Sequence, residues 1–246
     1  MRKCETIMRF IFDILRRESP DAAPYHQQIP FETGDSRETV ATALRKINAA
    51  EDCRDLQNRK VEPIAWEAGC LQKKCGACAM LINLHPALAC DSFLAGFASS
   101  ETKTYTVFLA PLSKFPVVKD LLTDRSVLFD NLKTLKQWSG ENGEIKEKNL
   151  EIAYEASRCL QCGCCLEACP NYSPGGTFFG AAGYAPQGRL ISTYSAEEQR
   201  DLRKLYLKHI YDGCGKALSC QKVCPAGIDL DRLLSRTNAI SVWRRR

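Results

Sequence analysis

The sequence predicts an α+β chain of two domains, a strand-rich N-terminal part followed by a helical C-terminal part. Three observations carry this. The 246 residues suffice for two domains that each bury a core. Runs of β-branched and aromatic residues dominate the first 110 positions, and helical periodicity dominates the remainder. The fourteen cysteines fall mainly into two groups, one in each part. A net charge of +5 is too slight for a nucleic-acid binder unless it clusters, and the basic residues are scattered among acidic ones, as in "DLRKLYLKH". Only Arg244 to Arg246 form a run, which reads as a solvated tail or a contact to anionic headgroups. No stretch approaches the ~18 uninterrupted apolar residues of a membrane span. The opening "MRKCETIMRFIFDILRR" is broken by Arg9 and Asp13 and lacks a small-residue cleavage site, so the expectation is an intracellular, soluble chain that keeps its N-terminus.

In chain order, "TIMRFIFDILRR" and "YHQQIPFE" read as a hairpin around the turn "SPDAAP". "DSRETVATALRKINA" reads as a helix, with Asp35 and Glu38 in capping-box positions and Val40, Leu44 and Ile47 on one face. Then comes the first cysteine group, Cys70-x4-Cys75-x2-Cys78 with Cys90 after eleven intervening residues. That is the plant-type ferredoxin spacing for a 2Fe-2S cluster. Gly69, Gly76 and the small Ala77 suit a loop that must turn sharply and bring backbone N-H groups close to sulfur. A zinc site is the alternative, but the four-residue gap fits it poorly. Strand-like "AMLIN" and "TYTVFLA" complete strands, one helix and a ligand loop in β-grasp order, and the first domain is expected to span residues 1–110.

Residues 111–246 read as an α-helical ferredoxin domain. Helical "NLEIAYEAS" leads into Cys159-x2-Cys162-x2-Cys165-x3-Cys169-Pro170, the bacterial ferredoxin run, whose fourth cysteine serves a second cluster in two-cluster proteins. Helical "SAEEQRDLRKLYLKHIYDG" leads into Cys214-x5-Cys220-x3-Cys224-Pro225. Pro170 and Pro225 stop the chain from continuing as helix. Cys159, Cys162 and Cys165 with Cys224 make a four-thiol site for 4Fe-4S, which leaves three, Cys169, Cys214 and Cys220, for a 3Fe-4S cluster. Water, another side chain or Cys164 completing a fourth iron site is the alternative, and a structural zinc pair is a second. Cys4, Cys53 and Cys164 remain as bystander thiols. The glycine-rich "GGTFFGAAGYAPQG" fits neither a Rossmann nor a P-loop pattern and reads as a loop beside a cluster.

Iron-sulfur potentials span roughly −700 to +450 mV, so three different clusters in one chain make a path for single electrons. His26, His85 and His209 are isolated, and no nucleophile-base pair is visible. A wire without a terminal of its own implies partners at both ends.

The chain resembles, over nearly its whole length, the iron-sulfur subunits of succinate dehydrogenase and quinol:fumarate reductase. Besides the ligand groups, "RRESPDAAPY", "CGACAMLIN", "FPVVKDLLTDRSVLFDNLKTLKQW" and "CLEACPN" are similar to that family's text in the same order. The resemblance implies a flavoprotein partner holding FAD and the dicarboxylate site. It also implies a membrane anchor of cytochrome b type that carries any haem, places a quinone near the 3Fe-4S cluster and holds this chain at the cytoplasmic side of the cell membrane. Leu71 stands where the family often has Arg, and Asn83-Leu84 where it has Asn-Gly. Pro174 and Gly215 stand where ubiquinone-linked members have Trp and His, so with Pro170 these are the expected quinone-proximal positions and the chain looks more like the menaquinone-linked members. Menaquinol is a low-potential donor, which points to fumarate reduction. The electron-transfer subunit of a soluble oxidoreductase is the other reading, although its usual further cysteine-rich domain is missing from this sequence.

Overall fold

A computed structural model of the chain describes residues 7–98, 104–137, 147–190 and 196–243. The chain divides into two compact units, Met1–Asp124 and Arg125–Arg246.

The first unit is built on strands β1 (Met8–Arg16) and β2 (Tyr25–Thr33), an antiparallel hairpin in register from Met8 opposite Thr33 to Arg16 opposite Tyr25. Strand β5 (Thr104–Ala110) runs parallel to β1 on its other side, and β3 (Ala79–Ile82) and β4 (His85–Leu88) complete a sheet of order β2-β1-β5-β3-β4. Period-two alternation buries Phe10, Phe12 and Ile14 from β1 and Val107 and Leu109 from β5. Helix α1 (Val40–Ala49) buries Val40, Leu44 and Ile47, the face expected from their spacing.

The cap of α1 differs from the expected Asp35–Glu38 box. Thr39 is the N-cap: its Oγ1 accepts from the Thr42 N-H, and the Thr42 Oγ1 accepts from the Thr39 N-H. The helix starts late because residues 38–40 are tied to another segment, Val40 N-H donating to the Ser92 carbonyl and Leu94 N-H to that of Glu38. Asp35 instead accepts from the Arg37 N-H at 2.8 Å, and the buried Glu38 carboxylate takes Thr33 Oγ1 and Lys46.

The segment 111–124, expected in the second domain, belongs to the first unit. Strands β6 (Val117–Lys119) and β7 (Leu122–Thr123) form a small hairpin that carries Asp120 into the interior, 1% exposed. Its carboxylate accepts from Arg16 Nε and Nη2 at 3.1 and 2.9 Å and from the Ala65 N-H at 2.9 Å. Arg16 spends its other donors on Gln27 Oε1 and on the carbonyls of Glu62 and Pro63. A sequence boundary drawn at the end of a strand run misses this tie, because it joins positions more than a hundred residues apart.

The second unit is helical: α2 (Ser126–Thr134), α3 (Glu147–Ser157), α4 (Cys164–Glu167), α5 (Gly180–Leu190), α6 (Ala196–Tyr206) with a π-helical turn at Leu207–Tyr211, α7 (Ser219–Lys222) and α8 (Leu230–Asn238). Leu135, Ala156, Phe179, Tyr184, Tyr206, Ile210, Leu233 and Leu234 share its core. Most of the glycine-rich stretch read as a loop is helix α5, which packs on α3 and α8. Small residues also bring α5 close to the π-helical turn and to the end of α2: a Cβ on Gly183 would meet Ile210 at 2.9 Å and Leu135 at 3.2 Å. Tertiary packing overrides the low helix propensity of Gly and Pro.

Removing Asp120 strands the buried Arg16 guanidinium, which costs about 3–5 kcal/mol. Asp120→Ala is expected to speed amide hydrogen exchange in β1 and β5 while leaving α5 and α8 protected; uniform protection in both units would refute the role given to the pair.

Candidate iron-sulfur centres

The first cysteine group lies on a loop before β3 and on the turn after β4. Cys78 is buried immediately before β3, Cys90 is half-buried, and Cys70 and Cys75 are exposed. Leu71, Lys73 and Gly76 all take left-handed backbone, with φ of 54, 58 and 74°. This conformation turns successive N-H groups inward, an anion-binding arrangement. The amides of Gln72 and Lys74 donate to Cys70 Sγ, that of Lys73 to Cys90 Sγ and that of Cys70 to Cys75 Sγ, each at 3.3 Å. The N-H groups of Gln72 and Lys74 lower the Cys70 thiol to about 7, whereas burial pushes Cys78 up to about 12. Lys73 Nζ pairs with Asp91 at 2.7 Å and ties the loop to the Cys90 segment. A Cβ on Gly69 would lie 2.8 Å from Cys75 Sγ.

In the second unit the two sets of thiols paired by spacing line two separate cavities. Cys159, Cys162, Cys165 and Cys224 line one, with Ala181, Ala182, Ala185, Ile228 and Leu230 supplying an apolar wall. Cys169, Cys214 and Cys220 line the other, with Pro170, Tyr184 and Gly215. Pro174 is not among the described residues of that lining. The single-turn helices α4 and α7 each end two residues before the last cysteine of their run. Gly163, at φ 88°, turns the chain into α4.

Cys164 lines neither cavity and is fully buried. Its thiol hydrogen bonds to Cys162, which lowers Cys162 to about 7 with help from the Arg125 charge and raises Cys164. Arg125 Nη1 also donates to the Cys162 carbonyl at 3.0 Å. Burial pushes Cys159 up to about 11 and raises Cys165 and Cys220. Cys53 is half-buried, its thiol raised by burial and by Asp52 and Asp55; Cys4 lies outside the described residues. So does the Arg244 to Arg246 run.

None of the thirteen described cysteines is in a disulfide. Among the described residues no three His, Cys, Asp or Glu side chains converge on a point that could hold one metal ion. In the second unit the thiols surround a space, and an all-thiol donor set around an apolar space suits a cluster with iron at its corners better than a single zinc. The histidines have structural partners: His26 Nδ1 bonds Asp13 at 2.8 Å, His85 Nδ1 the Asn83 carbonyl at 2.9 Å, and buried His209 the Thr177 carbonyl at 2.7 Å while stacking on Phe179. Arg125, Gln161 and Tyr184, whose Oη lies 3.7 Å from Cys220 Sγ, reach the cysteines without any spacing that marks them in the sequence.

Gly69→Ala sets a methyl group against Cys75 Sγ. We expect iron and sulfide reconstitution to leave the first site largely empty, read as loss of its visible circular dichroism, with the second unit loading normally; full loading of both would contradict the packing.

Two family models match the chain: residues 11–130 fit a "2Fe-2S iron-sulfur cluster binding domain" and residues 155–228 a "4Fe-4S dicluster domain". The succinate dehydrogenase iron-sulfur subunit of Bacillus subtilis is 32% identical over 244 residues, covering 94% of this chain and 91% of that one. The fumarate reductase iron-sulfur subunit of Wolinella succinogenes is 26% identical, covering 98% and 100%. Among solved structures, a chain of the Mycobacterium smegmatis Sdh1 complex in the apo form shares the fold, with a TM-score of 0.69 at 19% identity over 94% of this chain and 96% of that one. On the full-length identity and both cluster domains, the chain belongs to the family of iron-sulfur subunits of succinate dehydrogenase and fumarate reductase.

Proposed function

We propose that this iron-sulfur electron-transfer subunit relays single electrons between the FAD of a separate flavoprotein and a menaquinone held at a membrane anchor, using 2Fe-2S, 4Fe-4S and 3Fe-4S clusters. Such clusters, when bound, supply one-electron steps at graded potentials. The chain's own residues hold them as thiolates, keep water away and aim N-H groups at sulfur.

The observation that carries the reading is the division of seven thiols between two cavities, four around one and three around the other. On this reading Cys159, Cys162, Cys165 and Cys224 hold 4Fe-4S, and Cys169, Cys214 and Cys220 hold 3Fe-4S. Cys70, Cys75, Cys78 and Cys90 hold 2Fe-2S, a role supported by the N-H groups donated to Cys70, Cys75 and Cys90. The five-stranded sheet with one helix and the ligand loop between α1 and β3 supports a β-grasp assignment for the first domain. Pro170 and Gly215 border the three-thiol cavity, which supports a quinone close to it. Among the described residues no helix is long and apolar enough to cross a membrane, in keeping with attachment through an anchor subunit at the cytoplasmic face. Any haem belongs to that anchor, and the low potential of menaquinol favours the direction of fumarate reduction.

In the purified complex, Cys224→Ser is expected to damage the EPR signal of the reduced 4Fe-4S cluster first, whereas Cys164→Ser leaves that signal and the oxidised 3Fe-4S signal intact. Loss of either signal in Cys164→Ser, or an oxidised complex with no trinuclear resonance, would show that the thiols are divided otherwise.

A further inference from the structure

We infer that Gln161 is a positioning residue that raises the reduction potential at the four-thiol site by holding an amide N-H on Cys159 Sγ, using a carbonyl that Pro186 leaves free. This rests on the 4Fe-4S reading of that site.

Gln161 Nε2 lies 3.2 Å from Cys159 Sγ and 3.1 Å from the Ala182 carbonyl oxygen, so its two amide hydrogens have one acceptor each. The Ala182 carbonyl is available for a covalent reason. In a regular helix it would accept from the N-H four residues on, and that residue is Pro186, which has none. The amide is thereby fixed at two points, one on the wall of the cavity and one on a thiol that lines it.

Gln161 is held there at a cost. Its φ is 51°, in the left-handed region that L side chains rarely adopt. Its Oε1 is buried without a hydrogen-bond partner among the described residues. A residue needed only to satisfy the Ala182 carbonyl would not have to reach a sulfur as well. An N-H donated to a ligand sulfur favours the more negative, reduced state of the iron it serves, which raises the potential.

The test is an EPR-monitored redox titration of the purified complex with Gln161→Met, which keeps the length and apolar bulk and removes both donors. At the wild-type midpoint of the 4Fe-4S signal, the reduced-to-oxidised ratio is expected to fall about fivefold, the worth of one ordinary hydrogen bond. The 2Fe-2S and 3Fe-4S midpoints should stay in place. An unchanged 4Fe-4S midpoint, or a shift shared by all three signals, overturns the inference. Should Gln161→Met not retain the cluster, Gln161→Leu is read by the same criterion. A wild-type complex with no reducible 4Fe-4S signal would instead sink the cluster reading, which separates the two failures.

Discussion

The close approach of helix α5 to the cysteine runs is the constraint on which the second unit depends. Ala181, at the start of the helix, lines both cavities, and Ala182 and Ala185 line one of them. Alanine at these three positions limits the helix's side-chain bulk to a methyl group where it lines the cavities. Close approach recurs on another face of the helix, where a Cβ on Gly183 would meet Ile210 at 2.9 Å and Leu135 at 3.2 Å. Small residues serve both purposes, and the backbone-entropy cost of glycine is offset by packing on three sides. Because each cavity draws thiols from before and after α5, the helix must be seated for either set to close.

The first unit solves a different problem. Its ligand loop is exposed, so order comes from backbone and charge rather than from an apolar wall. Left-handed residues turn N-H groups toward the thiols, and these partial positive charges offset the charge that gathers when the thiols ionise. Elsewhere in the unit, the buried Arg16–Asp120 pair joins β1, the 62–65 segment and the β6–β7 turn. Every donor of the Arg16 guanidinium has a partner, which is the condition for a buried ion pair to hold a structure together.

Much of this is legible in the residue order. The alternation in "MRFIFDILR" shows which side chains of β1 face inward, and the spacing of Val40, Leu44 and Ile47 shows the buried face of α1. The cysteine intervals separate Cys224 from its near neighbours Cys214 and Cys220, the division the two cavities display. What the order hides is set by distant pairing. Thr39 caps α1 in place of Asp35 because Ser92 and Leu94 hold the preceding residues extended. Asp120 moves the unit boundary because its partner lies on β1. Helix α5 looks like a loop because its glycines and Pro186 oppose helix locally and are overruled by packing. Gln161 carries no mark at all, since its meaning depends on a proline in another element.

The central claim is that one chain holds a two-iron, a four-iron and a three-iron cluster on thiols divided in that way. Low-temperature Mössbauer spectroscopy of the complex grown on 57Fe tests it most directly, with haem iron subtracted. The account predicts spectral areas in the proportion of two to four to three, the last from a wholly ferric trinuclear cluster in the oxidised state. Areas of two to four to four, or thiols occupied by zinc with little iron, would contradict it.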